Sequence, residues 1–513
     1  MKRFLIIILS FSLMFLCDDR NSESADIAYD NFDKPYLDGT KWWPREYVRK
    51  VEDGRLILKL GNSSGMGAEV APGIFRNNLD FANPQAINTI ETEVTIKETI
   101  LDSTSNSSSF IRICGYYYNI NDAGGATGDI FAMLMIGDRG NGGLEAFWEV
   151  QEMLSDDTRT WAAIGTGTVI GPGILQYNTP YTLKLAFEIL ETQEGRFSFK
   201  VEEQLHTFTG PFRKRDSVVQ YKALSAAINA YGGENNGFVH GECDNVFVNN
   251  NSLVYDDFST PLDFSRWKRL EWTRESKEGS LKANYQGIDS TGRVGTYMNR
   301  ANADFIEAKV YLSDQSFVSP GALGQIRVQG HFYNDTRGPG SGLPYNRYEG
   351  NLFAKIYLQI DSNDNLACVA WLHRENNDSA TSYTYLLEEY FTTPIYFNTE
   401  YVLSIRFIDN KLLFKCDNET ISYDITTPKY PPYSEQKVLG LQTKLFLYPA
   451  GEWGYLQSSY DDVRVSEYLI AFCLQDYDFD NDMDGTDVVV FIQDPKDVSI
   501  EDFAMHFGRT DCP

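Results

Sequence analysis

The sequence predicts a mainly β protein, with two tandem antiparallel β-sandwich (jelly-roll) domains and a small α-helical module at the C-terminal end. Three observations predict this. One residue pattern occurs twice in the chain. Segments within each copy alternate, or run apolar, with β-branched and aromatic residues. A short run near the end then places acids at every second position.

The duplication is visible residue by residue. Trp42 and Gly54 have the spacing of Trp267 and Gly279, with Arg49 and Arg274 at the same offset. Ile90-Glu-Thr-Glu-Val-Thr-Ile answers Ile306-Glu-Ala-Lys-Val-Tyr-Leu, and Ile111-Arg-Ile-Cys-Gly-Tyr-Tyr-Tyr-Asn answers Ile326-Arg-Val-Gln-Gly-His-Phe-Tyr-Asn. Asn178-Thr-Pro-Tyr answers Asn398-Thr-Glu-Tyr, and Asp244-Asn-Val-Phe-Val answers Asp461-Asp-Val-Arg-Val. The period is roughly 220 residues. It gives one domain over 29–250 and a second over 254–468. Segments such as IETEVTI, YTLKLAF and YVLSIRF read as strands, and GDRGNGG and GPGSGLP as the turns between them.

The order of these segments resembles the concanavalin-like, laminin-G-like jelly-roll superfamily over about 30–250 and 254–468. That resemblance implies a glucanase, a lyase or a pure binding module. The glucanase type needs carboxylates on one strand face, spaced E-x-D-x-E or E-x-D-x-x-E. The nearest approach is Glu91-Thr-Glu93, with no third acid at the right step, and it reads as a solvated strand face. Five histidines form no metal pattern, and no G-x-S-x-G elbow occurs. No catalytic residue is assigned.

A binding face is easier to place. With Ile111 and Ile113 in the core, Arg112, Tyr116 and Tyr118 fall on the opposite face, and Arg327, His331 and Tyr333 repeat the arrangement. Such a face suits a polysaccharide; the same residues also suit a sheet merely covered by Tyr and Arg. Trp148 and Trp371 read as recurring core anchors.

Length, charge and cysteines bound the rest. At 513 residues the chain exceeds a single core. With 72 acidic against 45 basic residues its net charge is −27, which excludes nucleic acid as a natural partner. Lys2 and Arg3 precede the apolar run Phe4 to Leu16, too short to span a bilayer, so residues 1–17 read as an export signal. Cys17 comes immediately after the run, and 18–28 is a polar linker. The pattern resembles a bacterial lipoprotein signal with a lipid anchor on Cys17. Phe15 and Leu16 stand where that family has small residues, so free secretion stays open. The expected location is the bacterial cell envelope or the extracellular space. Six other cysteines suit an exported protein with disulfides; one private bridge per domain, Cys114 with Cys243 and Cys368 with Cys416, stands open beside the alternative of buried free cysteines.

The acidic run is Asp476-Tyr-Asp-Phe-Asp-Asn-Asp-Met-Asp-Gly-Thr-Asp487. A twelve-residue calcium loop takes ligands at positions 1, 3, 5, 7, 9 and 12. Starting at Asp480 puts Phe491 at position 12, and starting at Asp478 puts Val489 there; neither can bind. Starting at Asp476 places Asp476, Asp478, Asp480, Asp482, Asp484 and Asp487 as ligands, with Asn481 at the turn. This form resembles a dockerin loop. The resemblance implies a calcium-stabilised module over 473–513 and a cohesin-like partner, although the second loop, over 491–502, lacks ligands. Cys473 and Cys512 bracket the module, and a bridge between them would tie its ends.

The leading expectation is an exported, non-catalytic protein that binds a glycan or other surface ligand and attaches through its calcium module. A polysaccharide hydrolase or lyase, and a structural envelope protein, are the alternatives.

Overall fold

The computed structural model describes residues 26–466, apart from 63–72, 102–106, 123, 158–159, 231–236, 299–302, 337–347, 409, 428, 430–438 and 449–450. Among the described residues the secondary structure is antiparallel β-strands and one 3₁₀ turn, Pro84–Ala86. Seventeen strands from both halves join in one continuous sheet. Two further seven-stranded sheets are private to one sandwich each, the second with one short strand, Trp42–Trp43, from the first half. The first private sheet runs in the order Trp161–Ile170, Leu144–Met153, Asp129–Asp138, Ser108–Asn119, Lys222–Ala230, Gly73–Asp80, with Arg215–Asp216 paired to Ser108–Asn119 off that path. The second runs Trp42–Trp43, Gly292–Met298, Leu439–Phe446, Leu323–Asn334, Asn351–Asp361, Leu366–Glu375, Tyr383–Tyr390.

Two large cores lie between the continuous sheet and the private sheets. Alternation builds them: Leu352, Ala354, Ile356, Leu358 and Ile360 point into the second core, and Ala132, Leu134 and Ile136 into the first. The chain is thus two β-sandwiches in tandem.

Their leading segments are exchanged. Phe32, Leu37 and Trp42 sit in the core of the second sandwich, while Phe258, Leu262 and Trp267 sit in that of the first. Asp26–Asp30 pairs with Ser458–Ser466, and Trp42–Trp43 extends the second private sheet. In the other direction Trp267 bridges to Phe81, and Asp256 to Val246. Local hydrogen bonds account for the repeated D-x-F…W motif. Asp30 accepts from the Phe32 N–H at 3.0 Å and the Trp42 indole at 2.6 Å, and Asp256 does the same for Phe258 at 2.8 Å and Trp267 at 2.7 Å. Both phenylalanines adopt φ 52°, a left-handed conformation that the aspartate hydrogen bonds offset.

The cysteines correct one expectation. Cys114, Cys243, Cys368 and Cys416 are buried free thiols. Cys114 packs on the outer face of the first private sheet and Cys243 in the core, so the sheet separates them. Cys368 and Cys416 meet in the second core as hydrogen-bonded thiols, and burial, then that bond, pushes the Cys368 thiol up.

Candidate functional site on the second private sheet

The outer face of the second private sheet brings polar and aromatic side chains together. Strand Leu323–Asn334 turns Gln325, Arg327, Gln329 and His331 outward, because Ile326 and Val328 fill the core. Its neighbour Asn351–Asp361 adds Phe353, Lys355 and Tyr357. Strand Leu366–Glu375 adds Val369, Trp371, His373 and Glu375, and the edge strand Tyr383–Tyr390 adds Tyr383, Tyr385 and Glu388. Register sets Lys355 opposite Trp371, and Phe353 opposite His373.

Lys355 Nζ stands 3.5 Å from the centroid of the Trp371 ring and 5.4 Å from that of Tyr357. Burial, then Arg327 and Lys444, pull its ammonium down to about 6. His373 packs edge-on to Trp371 at 4.4 Å and lies 5.0 Å from the Tyr383 ring. His373 Nε2 and Glu375 Oε1 are 3.0 Å apart. His373 Nδ1, Glu375 Oε2 and both ring nitrogens of His331 are buried without a hydrogen-bond partner. Burial, then His373, lowers His331 to about 3, so it is a neutral imidazole. Buried polar atoms left without partners in this way are costly. The middle of the face is buried, whereas Tyr383, Tyr385 and Tyr390 on the edge strand stay open, 46%, 59% and 57% exposed.

Among the residues expected to bind glycan, Arg327 and His331 lie on this face. Tyr333 does not: it is buried in the second core, stacked on Phe407. Tyr118 is likewise in the first core, stacked on Phe187. A register shift between Tyr116 and Tyr118, repeated between His331 and Tyr333, is the reason, since one extra residue reverses the facing of every residue beyond it. Arg112 and Tyr116 are on the outer face of the first private sheet, whose other side chains include Phe131, Met133, Met135 and Phe147. There Arg112 donates to Met133 Sδ at 3.3 Å, and its Nε and Nη2 have no partner.

Along the ladders, Lys355 and Trp371 occupy the places of Met133 and Glu149. The two faces therefore differ in chemistry. Trp148 is a core anchor, stacked on Phe199 at 4.7 Å, but Trp371 is not; it belongs to the outer face. Sequence reasoning missed Lys355, Trp371, His373 and Glu375. Their signal was the alternation Trp371-x-His373-x-Glu375. Cys17, the aspartates from Asp476 to Asp487, Cys473 and Cys512 lie outside the described residues.

No family model and no curated relative matches the chain. Among solved structures it is similar to LamAcat from Zobellia galactanivorans, at 15% identity over 38% of this chain and 80% of that one, TM-score 0.25. A Bacillus licheniformis beta-glucanase shares 10% identity over 37% of this chain and 79% of that one, TM-score 0.23. The carbohydrate-binding module CBM66 from Bacillus subtilis shares 14% over 35% and 86%, TM-score 0.17. The functional reading rests on the residues of the face.

Proposed function

We propose that the second sandwich binds a polysaccharide on the outer face of its private sheet. The observation that carries this reading is the cluster Lys355, Trp371, His373 and Glu375, with polar atoms lacking partners, beside the exposed Tyr383 and Tyr385. Aromatic faces take the apolar faces of sugar rings, and the unpartnered imidazole and carboxylate atoms, once reached, take hydroxyls. Isothermal titration of the full chain against a polysaccharide panel tests it. Tyr385→Ala and His373→Ala should each weaken the best ligand by about tenfold or more. Unchanged affinity in both, or no ligand in the panel, would remove the reading.

In the same reading the protein is exported, with Cys17 as its lipid anchor if the signal is of that type. The loop from Asp476 to Asp487 holds calcium in a dockerin-like module, whose partner would be cohesin-like. These parts rest on the sequence motifs alone.

One observation favours an enzyme as the second reading. His373 Nε2 and Glu375 Oε1, 3.0 Å apart, form a histidine–carboxylate pair of the kind that general acid–base chemistry uses beside a bound sugar. Release of shortened products from the bound polysaccharide, lost in Glu375→Gln, would establish it.

A further inference from the structure

The outer face of the second private sheet is also a strip of positive charge in an acidic protein. Arg293 and Lys444 lie directly opposite each other in register, Lys444 is next opposite Gln325, and Arg327 comes two residues later on the same strand. Arg327 in turn sits close enough to Lys355 and Lys444 to depress both ammonium groups. Among the described residues none of these four cations has a carboxylate within 4.0 Å. Arg327 is held by neutral groups, with Nε donating to Gln325 Oε1 at 2.8 Å and Nη1 to Gln442 Oε1 at 3.2 Å. Lys444 and Lys355 rest on rings, 4.3 Å from Phe446 and 3.5 Å from Trp371.

Elsewhere the chain treats its cations in two ways: the buried Arg49, Arg112, Lys222 and Arg274 also have no carboxylate within 4.0 Å among the described residues, while others are paired. Lys50 and Lys59 meet Glu275, Arg139 meets Glu145 and Arg374 meets Asp335. With 72 Asp and Glu residues against 45 Lys and Arg, acids to neutralise the strip are abundant, yet Glu388 is the one carboxylate that acts favourably on Lys355. Burying clustered like charges costs stability, and an incoming anion relieves that cost. The net charge of −27 repels polyanions at long range, so attraction depends on local basic surface such as this face.

We propose that the strip takes an acidic polysaccharide, with carboxylate or sulfate groups seated among Arg327, Lys355 and Lys444 and sugar rings packed on Tyr383 and Tyr385. Sulfate and uronate share the chemistry this requires, an anion spaced along a saccharide chain. Lys355 occupies one face of Trp371, which leaves the edge tyrosines as the open stacking surfaces. The inference rests on the polysaccharide reading above and adds the charge of the ligand.

The test uses the full chain and four probes in calorimetry or affinity electrophoresis: a polyuronate, a sulfated galactan, a neutral β-glucan and vesicles of anionic phospholipid. At least one acidic polysaccharide should bind about tenfold more tightly than the glucan, and lose that advantage between about 0.05 and about 0.5 M sodium chloride. Which of the two binds tells uronate from sulfate. Lys355→Met should remove the preference without unfolding the protein, because it replaces a buried amine that has no carboxylate partner with an apolar chain. Arg293→Glu, on an exposed side chain, should weaken the acidic ligand alone. A glucan bound as tightly as the acidic chains, at either salt concentration, would overturn the charge assignment and leave polysaccharide binding standing. Vesicles bound with every polysaccharide ignored would overturn both.

Discussion

Val48 pairs with Thr273, its own counterpart in the repeat, at the centre of a short antiparallel ladder. Tyr47 with Arg274 and Arg49 with Trp272 flank it. A residue that meets its own equivalent marks a local twofold axis, as in an isologous dimer interface. The flanking contacts obey it: Arg49 Nε donates to Leu270 O at 2.8 Å, and Arg274 Nε to Arg45 O at 2.6 Å. The two sandwiches thus behave as a dimer within one chain, each completed by the other's leading segment.

That exchange predicts which tryptophan supports which half. Trp42→Ala should cost about 3–5 kcal/mol and act on the second sandwich, although Trp42 precedes the first. Hydrogen exchange should quicken in Leu323–Asn334 and spare Ser108–Asn119. Trp267→Ala should do the reverse. If each substitution instead loosens the half it belongs to in sequence, the exchange is refuted.

Glu275 ties the halves electrostatically. Its side chain is fully buried and meets Lys50 and, at 2.6 Å, Lys59. Burial would raise its carboxyl, but the two ammonium groups outweigh it and hold the group below its ordinary 4.5. Glu275→Gln leaves those cations without their buried partner and should cost about 3–5 kcal/mol near neutral pH. Because the folded pKa is depressed, the contribution is present above pH 4.5 and fades as pH falls through the folded value. Urea unfolding should show the gap between wild type and variant narrowing below pH 4.5. A gap independent of pH would contradict the assignment.

The sandwich class and the tandem repeat were legible because alternation and duplication are local facts of the sequence. The exchange was not, because two copies of the same D-x-F…W motif fit either core and the sequence does not say which. The inward turn of Tyr118 and Tyr333 was lost for a smaller reason: one bulge residue reverses a face, and Tyr116, Tyr117 and Tyr118 look alike before register is known. Trp148 and Trp371 were matched one residue out of step, enough to read a buried tryptophan of the outer face as one of the inter-sheet core. Arg327 and His331 were found because alternation with the inward Ile326 and Val328 turns them outward, and both precede the bulge.

The C-terminal loop makes its own prediction. Equilibrium dialysis of the full chain should show one saturable calcium, and Asp476→Ala and Asp487→Ala should each abolish most of it. Asp480 and Asp484 also serve the rejected frame that starts at Asp480, but Asp476 does not. Retained binding in Asp476→Ala would therefore sink the chosen frame while leaving a calcium site in the other.

Lys355 couples ligand binding to protons. Its folded pKa, about 6, lies far below the ordinary 10.5, through burial and then Arg327 and Lys444, with Glu388 pulling the other way. Between those values the unfolded chain holds one more proton than the folded one. The stability penalty of Lys355 is therefore complete below pH 6 and gone above 10.5. A bound anion favours the charged form, so it must raise this pKa and draw a proton in. Calorimetry of the acidic polysaccharide at about pH 8, in two buffers of different ionisation heat, should show uptake approaching one proton per Lys355 engaged. The uptake should vanish at about pH 5, where Lys355 is already charged, and in Lys355→Met at any pH. Binding should accordingly tighten as pH falls from about 8 towards 6. Tight binding at about pH 8 with no proton taken up would mean that the anion sits away from Lys355.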